Sequence, residues 1–193
     1  MLFRSRGYLR ADEANRKLKL RTPTELRVQD VVDSSFADNP DTRKSTSAYL
    51  GTIGGTALVN WISKGQAIVT MSSTEAEYVS LSEGVKETTF MTMLLKELVN
   101  NVVIPSIIAE HKAGAIFLPK NKQFGATNKH IDTRCYFVRD KVEEESVLVQ
   151  IVNAIKNPSD LLFKIVTQKI HDAHARIINN RTMDCWNKES III

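Results

Sequence analysis

"SSTEAEYVSLSEGVKETTFMTMLLKELV", residues 72–99, is where the chain changes period. Ala76, Val79, Leu81 and Val85, then Phe90, Met93, Leu94 and Leu98, recur at helical spacing. Ser72, Ser73 or Thr74 can cap this helix, and Glu75 and Glu77 fall in its first turn, where the helix dipole favours negative charge. Gly84 allows a break into two helices.

Upstream the pattern is β-like. "LRVQDVVDSSF" (26–36) predicts a short strand running into Asp33, and "ADNPDTRKSTS" (37–47) is turn material. "AYLGTIG" (48–54) and "ALVNWIS" (57–63) flank Gly54-Gly55-Thr56, a hairpin signal, so three consecutive antiparallel strands are expected. The alternation in the last of them places Trp61 in the core rather than on a base-stacking platform.

Downstream, strands and helices alternate. "PSIIAEHKAGAIFL" (105–118) opens as an apolar strand, stops on Glu110-His111-Lys112 and turns into a small-residue helix. "IDTRCYFVRDKVEEE" (131–145) reads as a helix and "VLVQIV" (147–152) as a strand. "NPSDLLFKIVTQKIHDAHARII" (157–178) reads as one last helix begun by Pro158 and Ser159. The order β-β-β-α-β-α-β-α predicts a five-stranded mixed sheet, its first three strands antiparallel, with helices packed on it: an α/β fold.

Composition bounds the function. A chain of 193 residues has room for one ordinary domain plus tails. The apolar fraction of 42% and the scarcity of Gly and Pro favour a packed core over disorder. A net charge of +4 suits a nucleic-acid partner without demanding one. Cys135 and Cys185 have no paired spacing, which argues against a disulfide framework or a zinc knuckle and for a reducing, intracellular setting, cytoplasmic or nuclear. No apolar run is long enough to predict a membrane span. The basic N-terminal stretch reads as a presequence, a nucleic-acid arm or a solvated helix; Asp12 and Glu13 argue against the presequence.

Four places put acids where strands end or helices begin: Asp33, Glu75/Glu77, Glu110 beside His111, and Asp160. Each alone has a plain structural reading as a turn former or a helix-dipole partner. Together, "VVDSSFADNPDTRKSTSAYL" (31–50), "MSSTEAEYVSLSEGVKE" (71–87), "NKHIDTRCYFVRDKVEEE" (128–145) and "NPSDLLFK" (157–164) resemble, in order, the blocks of the RNase H domain of copia-type retrotransposon Pol polyproteins. "GYLRADEANRKLKLR" (7–21) resembles the end of the reverse-transcriptase region that precedes this domain. The resemblance divides the chain into a basic segment over 1–25, an RNase H-like domain over 26–170 and a tail over 171–193.

The resemblance implies an RNase H-like fold, with helices on both faces of the sheet, and a magnesium-dependent endoribonuclease, in which two Mg²⁺ (or Mn²⁺) ions held by carboxylates cut the RNA strand of an RNA/DNA hybrid. Besides the hybrid, it implies the reverse-transcriptase region of the same polyprotein as a partner. Family motifs fall on Asp33, Glu77 and Asp160 as catalytic metal ligands, with Glu75 as the runner-up to Glu77. Two residues apart, these glutamates point about 200° from one another on a helix, so only one can face the metals. Lys129, His130 and Arg134 become candidate nucleic-acid contacts, although His130 can equally buttress the helix that follows.

The pattern breaks at the third carboxylate. Aligning on Gly114-Ala115-Ile116 puts His111 where the family has Asp, and Lys112 where it has Asn. Glu110 alternates to the opposite strand face and is expected to project away from the cluster. An imidazole suits Zn²⁺ or Mn²⁺ better than Mg²⁺ and removes a negative charge, so metal affinity and activity are expected to fall. The family's Thr-Lys after the last Asp becomes Phe163-Lys164. A non-catalytic, nucleic-acid-binding copy of the domain is the alternative function. His171 and His174, three apart, lack a third ligand for a metal of their own.

Overall fold

Two glycines make the tight turn between the second and third strands of the sheet. Gly54 and Gly55 both adopt φ of 62°, the left-handed region that tight hairpins require and side chains resist. They join β2 (Thr46–Ile53) to β3 (Ala57–Gly65), and β2 pairs antiparallel with β1 (Val28–Ser35). The computed structural model describes residues 26–55, 57–111, 129–153 and 157–180, apart from the side chains of 129–132 and 176–180. The basic N-terminal segment, Lys112, the 114–116 block and Cys185 lie outside the described residues.

After β3, α1 (Ser73–Leu98) crosses the sheet and returns the chain to β4 (Ser106–Glu110), parallel to β1. Helix α2 (Lys129–Glu143) leads to β5 (Val147–Ile151), parallel to β4. A 3₁₀ turn (Pro158–Leu162) and α3 (Gln168–Asn180) follow. The strand order is β3-β2-β1-β4-β5, the five-stranded mixed sheet expected from the sequence. On one face, Val32, Tyr49 and Ile108 meet Tyr78, Leu81 and Val85 of α1 and Cys135 and Val138 of α2. On the other, Val31, Leu50, Ala109 and Val152 pack with Leu58 and Leu162 of the 3₁₀ turn. None of the described helices is long and apolar enough to cross a membrane.

Helix α1 runs unbroken through Gly84, contrary to the two-helix possibility. The glycine serves packing instead. A Cβ there would overlap Val32 Cγ1 on β1 and come within 2.8 Å of Ile108 Cδ1 on β4, so its absence lets the helix lie directly on two strands. The sheet-facing side of the helix's second half is also partly polar. Thr88 donates to Asp30, and the Thr92 and Ser106 hydroxyls lie 2.7 Å apart. Phe90, Met93, Leu94 and Leu98 therefore face outward, although their spacing correctly marks a helix. Periodicity identifies an apolar stripe, not the surface it meets.

Two further readings are corrected. Trp61 is 54% exposed rather than core. It pairs with Leu50 on the face where, among the described residues, Leu162 of the short 3₁₀ turn packs, and β3 is an edge strand of the sheet. The single C-terminal helix is two elements, with Phe163–Thr167 non-helical between them. The β-branched run Ile165-Val166-Thr167 explains the interruption, since such side chains lose rotamer freedom in a helix.

Asp30 is fully buried beneath α1. It accepts from Tyr49 Oη (2.9 Å), the Thr52 amide (3.1 Å) and the Thr88 hydroxyl. Burial outweighs these bonds and pushes its carboxyl up to about 7. The folded protein thus holds a proton that the unfolded chain releases near pH 4.

Two outcomes follow for stability. Gly84→Ala gains about 1 kcal/mol of helix propensity but overpacks two strands at a typical cost of 1–3 kcal/mol, so urea midpoints should show a net loss. For Asp30, stability is greatest below the unfolded pKa and is lost as pH rises through about 7. Asp30→Asn lacks that loss, so its stability relative to the parent should climb between pH 4 and pH 8 by at most about 4 kcal/mol; a flat difference across that range would contradict the assignment.

Candidate functional site

The site lies at the carboxyl ends of β1 and β4. Their parallel register pairs Asp30 with Ile108 and Val31 with Ala109, and the same offset carried two residues further sets His111 beside Asp33. From α1, Ser80 donates to the Asp33 carbonyl (2.7 Å), docking the helix against the strand end, and Glu77, one turn earlier, projects into the same corner. The 3₁₀ turn is fastened by Asn157. Its Nδ2 donates to the Val32 carbonyl (2.8 Å), and its Oδ1 accepts from the Ser159 amide (3.1 Å) and hydroxyl (2.6 Å). With Pro158 opening the turn, this places Asp160 beside Asp33.

Asp33, Glu77 and His111 form a cluster in which one ligand atom from each lies within 4.8 Å of the others. His111 Nδ1 is 3.1 Å from Asp33 Oδ1 and 3.4 Å from Glu110 Oε1, and its Nε2 is 3.8 Å from Glu77 Oε1. Glu110 does not project away as alternation suggests. It is wholly buried under the imidazole, its Oε1 accepting from the His111 amide (2.8 Å), because the strand ends there and the chain turns. Glu75 sits apart from the cluster, closing the helix start: its amide donates to Ser72 Oγ (3.1 Å), and its carboxylate accepts from the Met71 amide (2.6 Å).

Lys164, which the sequence offers only as the retained lysine of the family's Thr-Lys pair and without a role, stands in the site. Its ammonium donates to Asp33 Oδ2 (3.0 Å) and Asp160 Oδ1 (2.6 Å) and lies 5.0 Å from the centroid of the Phe163 ring. Its signals in the sequence are its match to that family lysine and its position four residues after Asp160. A lysine near a carboxylate otherwise reads as solvated surface.

Electrostatics follow from these contacts. Burial pushes the Asp33 carboxyl up, but His111, Asp160 and Lys164 outweigh it and hold Asp33 well below the usual carboxylate range. Burial and the shared bond with Asp33 push Asp160 up to about 7. The contact with Asp33 raises the His111 imidazole against the opposing effect of burial. For Lys164 burial acts downward, and Asp160 and Asp33 more than offset it. The edge therefore carries an ammonium of its own among its acids.

Such a donor set does not fit a pair of Mg²⁺ ions. That pair requires carboxylate oxygens on both ions, whereas here one of the three clustered ligands is an imidazole and Asp160 is engaged by an ammonium. Arg134, a candidate nucleic-acid contact, is tied to α1 through Ser82 Oγ (2.9 Å) and Glu83, which gives it a role in packing α2. Lys129 and His130 stand in the first turn of α2, and their side chains lie outside the described residues. His174 is buried on α3, and His171 contacts Asp172 (3.3 Å); among the described residues the two share no metal cluster.

The chain is 37% identical over 134 residues to the retrovirus-related Pol polyprotein from transposon TNT 1-94 of Nicotiana tabacum, covering 69% of this chain and 10% of that protein. It is 30% identical over 154 residues to the Pol polyprotein from transposon RE1 of Arabidopsis thaliana, covering 80% of this chain and 10% of that protein. The chain thus spans about a tenth of the length of these relatives. Among solved structures, LC11-RNase H1, isolated from compost, superposes with a TM-score of 0.51 at 14% identity, over 71% of this chain and 92% of that one. This likeness shows the fold. No family model matches the chain.

Asn157 offers a test of how the site is assembled. Asn157→Ala leaves the buried Val32 carbonyl and Ser159 without this partner, and should cost about 1–3 kcal/mol in denaturant unfolding. A change below a few tenths of that scale would show that Asp160 is placed by other contacts.

Proposed function

The chain is an RNase H-like domain related to the Pol polyproteins of copia-type retrotransposons, and from that premise we propose that its hydrolysis of the RNA strand of RNA/DNA hybrids is impaired by His111. One observation carries the reading. Where the family resemblance calls for a carboxylate, an imidazole stands 3.1 Å from Asp33, turning an Asp-Glu-Asp triad into Asp-Glu-His. Asp33, Glu77 and Asp160 are the acids retained. The burial of Glu77 beside Asp33, and the capping contacts of Glu75, support Glu77 as the helix's contribution. The reverse-transcriptase region of a Pol polyprotein is the proposed covalent neighbour of the domain.

The test is cleavage of an RNA/DNA hybrid with Mg²⁺ by the parent and by His111→Asp. The variant should be faster by at least the roughly 10- to 100-fold that even an outer-shell partner of a metal ligand is worth. A parent that cuts as fast as the variant overturns the proposal. The second reading, a non-catalytic hybrid-binding module, is favoured by the Lys164 ammonium at the acidic edge and by an imidazole in place of a carboxylate, which lessen its repulsion of phosphate. Binding of the hybrid that falls steeply with salt, with no cleavage by either protein, would establish it in place of the first.

A further inference from the structure

We propose that the chain just ahead of β1 is a strap for the outward face of α1, with Leu18 and Leu20 covering the apolar stripe Phe90, Met93, Leu94 and Leu98. These four side chains stand at i, i+3, i+4 and i+8, one face of a helix, and are between 42% and 71% exposed. Ile104, just past the helix end, adds another exposed apolar side chain. Contiguous apolar surface of this kind marks a contact, whereas scattered single residues do not. Where the domain begins selects the occupant. Leu26 forms a parallel bridge with Val102, and its carbonyl accepts from the Val103 amide (3.0 Å). The chain therefore enters the fold beside residues 102–103, shortly after Leu98 and the end of the stripe.

Residues 1–25 lie outside the described residues, and their sequence supplies the rest of the argument. Arg21-Thr22-Pro23-Thr24-Glu25 is a polar connector, and Leu20 and Leu18 are the first leucines ahead of it. A chain spans at most about 3.3–3.6 Å per residue, so Leu20 has a reach of about 20 Å from Leu26 and Leu18 about 26 Å. The stripe rises only about 12 Å along the helix from Phe90 to Leu98. Size favours such a tethered segment over a second copy of the chain. Four side chains at these exposures offer on the order of 400 Å², about half of the roughly 800 Å² that each partner buries in a standard interface. A segment joined to the domain by a short connector meets the stripe at an effective concentration in about the millimolar range, where a small apolar patch suffices.

Limited trypsin digestion of the full chain, followed by mass spectrometry, reads the strap at Lys17, Lys19 and Arg21, with cleavage after Arg43 in the exposed turn before β2 as the internal reference. Met93→Asp puts a charge in the middle of the stripe, and the double change Leu18→Ser, Leu20→Ser removes the side chains that cover it. Each should speed cleavage at the three sites, relative to Arg43, by about tenfold or more. Ile165→Asp, at a residue 96% exposed beyond the 3₁₀ turn, should leave the three rates unchanged. A cross-link gives a second readout. In a Cys185→Ser chain, whose Cys135 is buried, Leu20→Cys with Met93→Cys should close a disulfide within one molecule on mild oxidation, and Leu20→Cys with Ile165→Cys should not. A parent cleaved at the three sites as fast as Met93→Asp, or equal cross-linking in the two cysteine pairs, overturns the proposal. So does a parent that light scattering finds dimeric and Met93→Asp monomeric, which would give the stripe to a second copy.

Discussion

The close seat of α1 on the sheet at Gly84 sets everything else at the site. Only a residue without a Cβ lets the helix touch Val32 and Ile108 together, and those two belong to the parallel strands whose ends form the acidic edge. Packed interiors do not give by an ångström without loss. Ser80 and Glu77, one and two turns before Gly84, inherit their positions from that contact: Ser80 reaches the Asp33 carbonyl, and Glu77 enters the cluster. A residue that reads as a helix weakness is the reason the helix can carry a site.

An edge built from four carboxylates is under like-charge strain until cations arrive. This chain relieves the strain internally. His111 sets an imidazole rather than another carboxylate against Asp33 and Glu77, and the Lys164 ammonium bridges Asp33 to Asp160, so the corner offsets its repulsion with its own side chains. Glu110, buried beneath His111, adds a further acid to be balanced, which favours an imidazole over a carboxylate at that position. The same substitution that weakens the edge as a Mg²⁺ site makes it electrostatically easier to fold.

Much of this was legible from residues alone, for physical reasons. Strand alternation, the Gly54-Gly55 turn and the helical stretch over 72–99 depend on local period, which sequence carries directly, whereas Asp33, Glu77 and His111 are singled out by the resemblance of their motif blocks to the family. What sequence hid depends on tertiary partners. Phe90, Met93, Leu94 and Leu98 form a regular apolar stripe yet face outward, because Thr88 and Thr92 satisfy buried polar groups on the sheet side. Trp61 follows its strand's alternation yet remains exposed on an edge strand, where burial depends on what packs against it. Lys164 acquires its role only through the 3₁₀ turn, which brings a residue 131 positions from Asp33 to within a hydrogen bond of it.

The fold and the chemistry at this edge are held by different atoms. Asn157 fastens the 3₁₀ turn to the Val32 carbonyl and Ser80 fastens α1 to the Asp33 carbonyl, so both anchors use the backbone rather than a metal-facing carboxylate. A change of side chain at residue 111 therefore alters charge and ligand class while leaving in place the strands, helix and turn that converge there. An RNase H-like edge can lose a carboxylate without losing its architecture, because a backbone carbonyl stays an acceptor whatever side chain stands beside it.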